Sequence, residues 1–223
     1  SLDFQVYSII GYKDTIYVGT NKGMYRYHAD RLIRSSLDFK TSSIINDLKV
    51  INGQLWVASD KGLFIQKSNG RFTKISGLPY PNINHIYGDE SGYVWLSIFT
   101  FGLIKLDSHT HKIVTKYDNS LLSKTKSILG QPNETLWLAT ENEGICILDV
   151  CNDKISRISE DQGFSTSKIQ TFFQDIWGNI WIGTSGAGLV KKTNQLFKYY
   201  NMFDYGFGGN RVYAIANDRN KKI

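Results

Sequence analysis

Proline, long hydrophobic runs and basic leader sequences are scarce or missing in this chain, and each scarcity removes a class of structure. Three prolines in 223 residues leave no proline-rich linker. No apolar run approaches the roughly 20 residues of a transmembrane helix, so we expect no direct membrane insertion by this chain. The first residues, SLDFQVYSIIG, lack a basic segment and a long apolar segment, so we do not expect them to form an intact signal peptide.

Cysteine is also rare. Cys146 and Cys151 form neither a CxxC pair nor a metal-binding spacing. Residues five apart on one strand are separated by about 16 Å, beyond disulfide reach, so these two would meet only if Cys151 folded back in a turn. We favour two thiols without a disulfide, and the cysteines do not decide the compartment.

Concentrated positive charge is absent although the net charge is +6. Lysine and arginine are scattered, and the densest clusters, Lys191–Lys192 and Lys221–Lys222, are only pairs. A nucleic-acid partner leaves a continuous basic stripe, so we expect none here.

A catalytic set is missing as well. His109 and His111 share the segment DSHTHK without an evident third ligand, so we expect exposed turn histidines and no metal. Glu141 and Glu143 lack a second acidic cluster, and the SGAG segment does not lead into a helix. We therefore expect no cofactor, no catalytic residue and no enzymatic activity in this chain.

What the chain has in abundance is an internal repeat. Each copy begins apolar–aromatic–apolar, continues with a small residue and usually Ser or Thr, and reaches a Gly a few positions later. The aromatic of each copy, called its anchor here, lies 39, 39, 42 and 44 residues from the next. The five anchors are Tyr17, Trp56, Trp95, Trp137 and Trp181.

Each period contains four short strands joined by turns, named A to D in chain order, with the anchor on strand B. Four antiparallel strands in about 40–45 residues are typical of one blade of a β-propeller. One anchor per blade at a fixed place predicts a packing role between blades. The expected all-β domain, 1–223, has blades at 6–35, 44–76, 83–118, 125–159 and 168–201, and a partial blade at 211–223.

The partial blade repeats strand A, with Asp218 in the place of Asp175. The next anchor would follow Ile223, so we expect the protein to continue beyond this chain, as part of a seven-bladed propeller. Coverage of the open end by another copy is the alternative, because natural proteins avoid bare strand edges.

The pattern D-x-x-G-x-[IVL]-W-[IVL]-G-T…G-G-[LI] resembles the two-component regulator propeller repeat. The segment 175–191, DIWGNIWIGTSGAGLVK, matches most clearly, whereas 77–106 reads Ser97-Ile98 where the repeat has Gly-Thr. The resemblance covers essentially the whole chain.

The resemblance implies the periplasmic sensor region of a Bacteroidetes-type hybrid two-component system, which signals to a histidine kinase. Its implied partners are an oligosaccharide and the remaining blades or a second propeller of the same protein. A homodimer is left open. Two other functions are weighed: a protein-interaction scaffold of a secretion or cell-surface assembly, and, with less support, a propeller lyase.

Ligands of propellers usually meet the face made by the D–A and B–C loops. That face includes polar loop residues such as Asn21 and Asp60. In the third copy the corresponding loop has Phe99 and Phe101, which stand out because the other copies are polar there. Packing is the rival interpretation for both phenylalanines and for His85 on strand A. The expected ligand-binding residues are Tyr80, Asn82, His85, Phe99, Phe101, Glu141, Asn142, Lys168 and Arg211.

Overall fold

The structure, a computed structural model, describes most of the chain and shows an all-β protein. The described residues are 4–35, 43–158, 164, 166, 168–193, 197–201, 205–206 and 208–215. They include twenty β-strands, arranged in five four-stranded antiparallel sheets. The chain divides into two compact units, Ser1–Asn119 and Ser120–Ile223.

The first unit contains three blades, and in each the strands pair in chain order as a meander. Blade 1 consists of β1 (Val6–Tyr12), β2 (Thr15–Thr20), β3 (Gly23–His28) and β4 (Arg31–Ser35). Blade 2 consists of β5 (Ile45–Ile51), β6 (Gln54–Ser59), β7 (Gly62–Gln66) and β8 (Phe72–Lys74). Blade 3 consists of β9 (Ile83–Gly88), β10 (Tyr93–Ile98), β11 (Gly102–Asp107) and β12 (Ile113–Asp118).

The second unit begins with a short 3-10 turn, Ser120–Leu122, and contains two blades. Blade 4 consists of β13 (Thr125–Gln131), β14 (Thr135–Thr140), β15 (Ile145–Asp149) and β16 (Lys154–Arg157). Blade 5 consists of β17 (Ile169–Gln174), β18 (Ile180–Thr184), β19 (Leu189–Lys192) and β20 (Phe197–Tyr200).

Neighbouring blades within a unit pack through their first strands, as wedge-shaped propeller sheets do. Strand β1 contacts β5, β5 contacts β9, and in the second unit β13 contacts β17. The small residue two positions after the anchor permits this approach: a Cβ on Gly19 would lie 2.8 Å from the Cγ2 atom of Ile45 on the next blade. The predicted fold, a β-propeller of five four-stranded blades, is confirmed.

The anchors lie where the repeat places them, on the second strand of each sheet. Trp56 and Trp95 are almost fully buried, Tyr17 and Trp137 are buried, and Trp181 on the last described sheet is half-buried. Trp137 meets Phe172 of blade 5 edge-on, with ring centroids 6.3 Å apart. An anchor thus contributes contact area between blades, as its regular recurrence predicts.

The Asp of the A–B turn is hydrogen-bonded to the ring of the anchor as well as to the turn. Asp89 Oδ2 accepts a hydrogen bond from the indole Nε1 of Trp95 at 2.9 Å, and Asp175 Oδ2 accepts one from Trp181 at the same distance. Burial alone raises the pKa of Asp175, but hydrogen bonds from Trp181 and Asn179 outweigh it and hold that pKa below its usual value. The Asp six residues before the anchor therefore fixes both the turn and the ring.

The Ser or Thr that ends strand B ties down the B–C turn. In four blades its hydroxyl donates a hydrogen bond of 2.7–2.8 Å to the carbonyl of a glycine that begins strand C or directly precedes it. The same hydroxyl accepts a backbone N–H from within the turn. The four residues are Thr20, Ser59, Thr140 and Thr184. Blade 3 has Ile98 at this position, so its B–C turn is stabilised in another way, which is described below.

The expected partial blade 211–223 is described only as far as Ile215, and Asp218 lies outside the described residues. Arg211 forms an isolated antiparallel bridge with Ser185, and the N–H of Val212 donates to Thr184 O at 2.8 Å. The chain after blade 5 therefore starts along the end of β18.

Candidate functional site

The B–C turn and the residue leading into strand A meet at one end of every sheet. A backbone hydrogen bond of 2.9–3.2 Å joins the two segments in each blade. The donor residues are Asn21, Asp60, Phe99, Glu141 and Ser185, and the acceptors are Gln5, Ile44, Asn82, Lys124 and Lys168. This end, called the loop end here, is the face that the sequence predicted for ligand binding.

Two polar residues of the expected face are used for structure at the loop end. Asn21 Oδ1 accepts the backbone N–H of Gln5 at 2.9 Å, and Asp60 Oδ1 accepts that of Ile44 at the same distance. Each side chain thus caps a donor at the start of its own sheet. Blade 3 differs, because Phe99 in the same position has no side-chain oxygen that could accept a backbone N–H.

The B–C turn of blade 3 is held by apolar packing. Ile98 is fully buried, and Phe101 is 8% exposed within the core that blades 2 and 3 share. Thr100 between them takes a left-handed conformation with φ of 65°. The burial of Phe101 favours the packing interpretation, and its role as a ligand residue stays a prediction. Because Ile98 has no hydroxyl to bond to the turn, packing of the Phe101 ring takes the place of that hydrogen bond.

Two aromatic rings remain accessible beside this turn. Tyr80 is 48% exposed, and its ring centroid lies 5.4 Å from that of Phe101, which it partly covers. Phe99 is partly exposed. The backbone of Asn82 is hydrogen-bonded to that of Phe99, and its Oδ1 is 3.4 Å from Asn46 Nδ2, which also donates to Ile83 O at 2.8 Å. Two partly exposed rings and Asn82 of blade 3 thus adjoin Asn46 of blade 2, and these four residues are named the aromatic–amide edge.

His85 lies on strand A, and its environment favours packing over ligand contact. Its Nε2 atom is 3.5 Å from Asp47 Oδ2, and its side chain is 15% exposed. Burial lowers the pKa of His85 to about 4, against the opposing charge of Asp47 and with the charge of Lys49. The ring is therefore neutral at pH 7. Its Nδ1 atom is buried and finds no hydrogen-bond partner within the described part of the chain.

Sequence reasoning missed the partner of His85, Asp47, which joins three blades. Its Oδ1 accepts from the Ser8 hydroxyl of blade 1 at 3.2 Å, and its Oδ2 accepts the N–H of Ile86 of blade 3 at 3.0 Å. Ser8 in turn accepts the N–H of Leu48 at 3.1 Å. In both cases a polar side chain on the first strand of one blade accepts a backbone N–H from the first strand of the next blade.

The same device recurs in the second unit, where Ser127 Oγ accepts the N–H of Phe172 at 3.4 Å. These polar residues share one structural position, directly after a register shift in strand A. Such a bulge places two residues opposite one on the partner strand and redirects the side chain that follows. The five residues at this position are Ser8, Asp47, His85, Ser127 and Thr171. Aligning the five blades would have shown from the sequence that this position is polar in every copy.

The remaining expected ligand residues lie at the loop end of the second unit. Glu141 pairs with Lys126, with 3.8 Å between carboxylate oxygen and amine. Asn142 and Lys168 are exposed. Arg211 donates a hydrogen bond to the hydroxyl of Tyr213 at 3.0 Å. This group is polar and charged and includes one exposed ring, that of Tyr213, and it stays a prediction as a binding site.

The described residues contain no group of three potential metal ligands. None of the helices within those residues is long and apolar enough to cross a membrane. Cys146 is buried and Cys151 is exposed, and the two form no disulfide. The absence of a catalytic role stays a prediction.

The blade architecture and the turn chemistry together define a class of protein, the repeat-built β-propellers. Residues 163–186 match the family described as two component regulator propeller. The resemblance drawn from the repeat is thereby confirmed, and the chain carries a repeat of that family.

Individual proteins extend this similarity over the whole chain. Histidine kinase P4 of Formosa agariphila is 24% identical over 246 residues, covering 97% of this chain and 18% of that protein. The extracellular domain of a hybrid two-component system of B. thetaiotaomicron superposes with a TM-score of 0.84 at 19% identity, over 99% of this chain and 31% of that one. A one-component system of the same organism gives 0.78 at 16%, over 97% and 32%. These structural likenesses show the fold, and the chain spans only part of each relative.

Proposed function

We propose that this chain is a ligand-sensing propeller module in the periplasmic part of a two-component sensor, and that it recognises an oligosaccharide. The repeat-family match at 163–186 is the observation that carries the first half of this proposal. Similarity to a histidine kinase and to two extracellular sensor domains supports it. In this account binding is reported to a histidine kinase in the same protein.

The aromatic–amide edge supports the second half, the recognition of sugar. Tyr80 and Phe99 offer apolar ring faces on which the C–H groups of a sugar can stack. The Nδ2 donor of Asn82 and the Oδ1 acceptor of Asn46 match hydroxyl groups, whereas Nδ2 of Asn46 donates to Ile83 O and Asn82 Oδ1. Rings with adjacent amides bind an uncharged polyhydroxylated ligand without a buried charge.

Calorimetric titration with a panel of defined oligosaccharides tests the proposal. We expect at least one to bind, and the double variant Tyr80→Ala, Phe99→Ala to weaken its binding at least tenfold, because each stacked ring contributes about 1 kcal/mol or more. Trp177→Ala is the matched control: this ring is 69% exposed but lies in an A–B turn, at the other end of its own sheet.

Heat from none of the oligosaccharides would contradict the proposal and favour the protein-interaction scaffold. Binding that resists the double variant but falls in the Trp177 control would place the sugar elsewhere and remove the aromatic–amide edge as its site.

A further inference from the structure

A groove in the first unit, remote in sequence from the aromatic–amide edge, has the lining of an anion site. It lies between the outer strand β8 of blade 2 and the C–D turn of blade 3 and has a volume of about 450 Å³. Ligand pockets generally enclose about 300–1,000 Å³, so the groove can hold a ligand of one or two sugar rings.

The groove is lined by cations and hydroxyl groups and by no acidic residue. Lys67 and Lys112 are exposed lining residues from the two blades. Lys74 also lines the groove, but the end of its side chain passes over Gly62 toward the B–C turn. Lys67 and Lys112 therefore carry the charge available to a ligand, and Thr73 and Thr110 add hydroxyls.

The adjoining C–D turn contains one carboxylate, that of Asp107, whose hydrogen bonds lie within the turn. Asp107 Oδ1 accepts hydrogen bonds from the N–H of Thr110 at 2.7 Å, its hydroxyl at 2.9 Å and the N–H of His109 at 3.1 Å. The bonds from Thr110 and then that from His109 lower the pKa of Asp107. Its carboxylate is used to close the turn, which is also held by a backbone bond from His111 to Asp107 O.

His111 forms a firm side of the groove. Its backbone is left-handed, with φ of 57°, and its ring stands edge-on to the fully buried Trp56, with centroids 5.4 Å apart. Burial lowers the pKa of His111 and the charge of Lys67 lowers it further, against the opposing charge of Asp107. The imidazole is therefore neutral at pH 7 and offers one donor and one acceptor beside the two amines.

We propose that this groove binds an anionic saccharide, through a carboxylate or sulfate group held between Lys67 and Lys112. Amines bind such oxyanions through charge-assisted hydrogen bonds. The size of the groove and its hydroxyl and imidazole groups suit a hydroxylated ring carrying that anion. This second site does not depend on the function proposed for the aromatic–amide edge.

Titration with sodium glucuronate, followed by calorimetry, tests the site, and glucose serves as the neutral counterpart. We expect glucuronate to bind more tightly than glucose by at least tenfold, and less tightly as salt rises. Lys67→Gln with Lys112→Gln should weaken glucuronate binding at least tenfold, because the double variant removes both amines that hydrogen-bond to the anion. Lys116→Gln removes the same charge from strand β12, which directly follows Lys112, at a position outside the groove, and should change binding less than twofold.

Equal affinity for glucuronate and glucose would overturn the proposal. So would glucuronate binding that the Lys67 and Lys112 variant leaves intact or that the Lys116 variant weakens equally. Thermal unfolding of each variant, monitored by circular dichroism, checks that the fold persists. Tyr80→Ala with Phe99→Ala should leave glucuronate binding unchanged, which separates this site from the aromatic–amide edge.

Discussion

Asp47 and Ile86 join the innermost strands of blades 2 and 3: the carboxylate Oδ2 of Asp47 lies 3.0 Å from the backbone nitrogen of Ile86. The other carboxylate oxygen lies 3.2 Å from the hydroxyl of Ser8 on blade 1. An innermost strand has a free edge, and its donors need partners where water is excluded. Asp47 supplies a charged acceptor to that edge and so holds three blades in register.

Asp47→Ala should lower the free energy of unfolding by about 3 kcal/mol, because it removes charge-assisted hydrogen bonds and leaves the N–H of Ile86 buried without its acceptor. Asp47→Asn keeps an acceptor oxygen and should cost about half as much. Urea denaturation measures both. Glu90→Ala, an exposed acidic residue of an A–B turn, should cost less than about 0.5 kcal/mol. Equal losses for the Asp47 and Glu90 variants would contradict the role given to Asp47.

His85 should make stability depend on pH in a defined direction. Its pKa falls from 6.5 to about 4 on folding, so the unfolded chain binds the extra proton between these values. Stability from this group is complete above pH 6.5 and is lost as the pH falls toward 4, by up to about 3 kcal/mol.

The variant His85→Gln keeps a donor for Asp47 and removes the titration, so its stability should fall less than that of the parent chain between pH 7 and 4.5. His111 titrates with the same sign in both proteins and cancels in the comparison. Chemical denaturation at several pH values is the measurement. Parallel pH profiles for the two proteins would refute a buried, neutral His85.

Phe101 and Phe99 should differ in their effect on stability although they are two residues apart. Phe101→Ala empties part of the core shared by blades 2 and 3 and should cost about 3–5 kcal/mol. Phe99→Ala removes a partly exposed ring and should cost less than about 1 kcal/mol. Thermal unfolding distinguishes them, and similar losses would show that the B–C turn of blade 3 is not held by Phe101.

The anchors Trp56 and Trp95 form a matched pair that isolates the bond to Asp89. Both rings are almost fully buried, but Trp95 Nε1 donates to Asp89, whereas Trp56 Nε1 finds no partner among the residues that the structure describes. Trp95→Phe should therefore cost about 1–2 kcal/mol more than Trp56→Phe. Denaturant midpoints measure the difference, and a larger loss for Trp56→Phe would contradict it.

Much of the fold could be predicted from sequence because each blade repeats the same local chemistry. The anchor, the small residue after it and the turn Gly report burial, close approach and positive φ, all of which depend on near neighbours. The sequence left packing and ligand contact open for Phe101, because its ring packs in a core shared with blade 2 and the residues that blade 2 contributes to that core are distant along the chain. The contact of this turn with blade 2 is visible only in the structure.

The polar position on strand A was missed for a related reason. Asp47 and His85 face each other across two blades because a bulge shifts the register of each first strand by one residue. Simple alternation places them without that shift. Likewise, Asn21 and Asp60 resemble ligand residues in the sequence, but the structure uses their oxygens as caps for backbone donors.

Hydrogen exchange with mass spectrometry, with and without an oligosaccharide that the calorimetric panel identifies, tests the central claim most directly. Sugar bound at the aromatic–amide edge should slow amide exchange in segments 79–85 and 98–102, since it orders both sides of the loop end of blade 3. The A–B turns around Gly53 and Gly92 should exchange unchanged. Protection at those turns, with none at 79–85 and 98–102, would contradict the proposed ligand face.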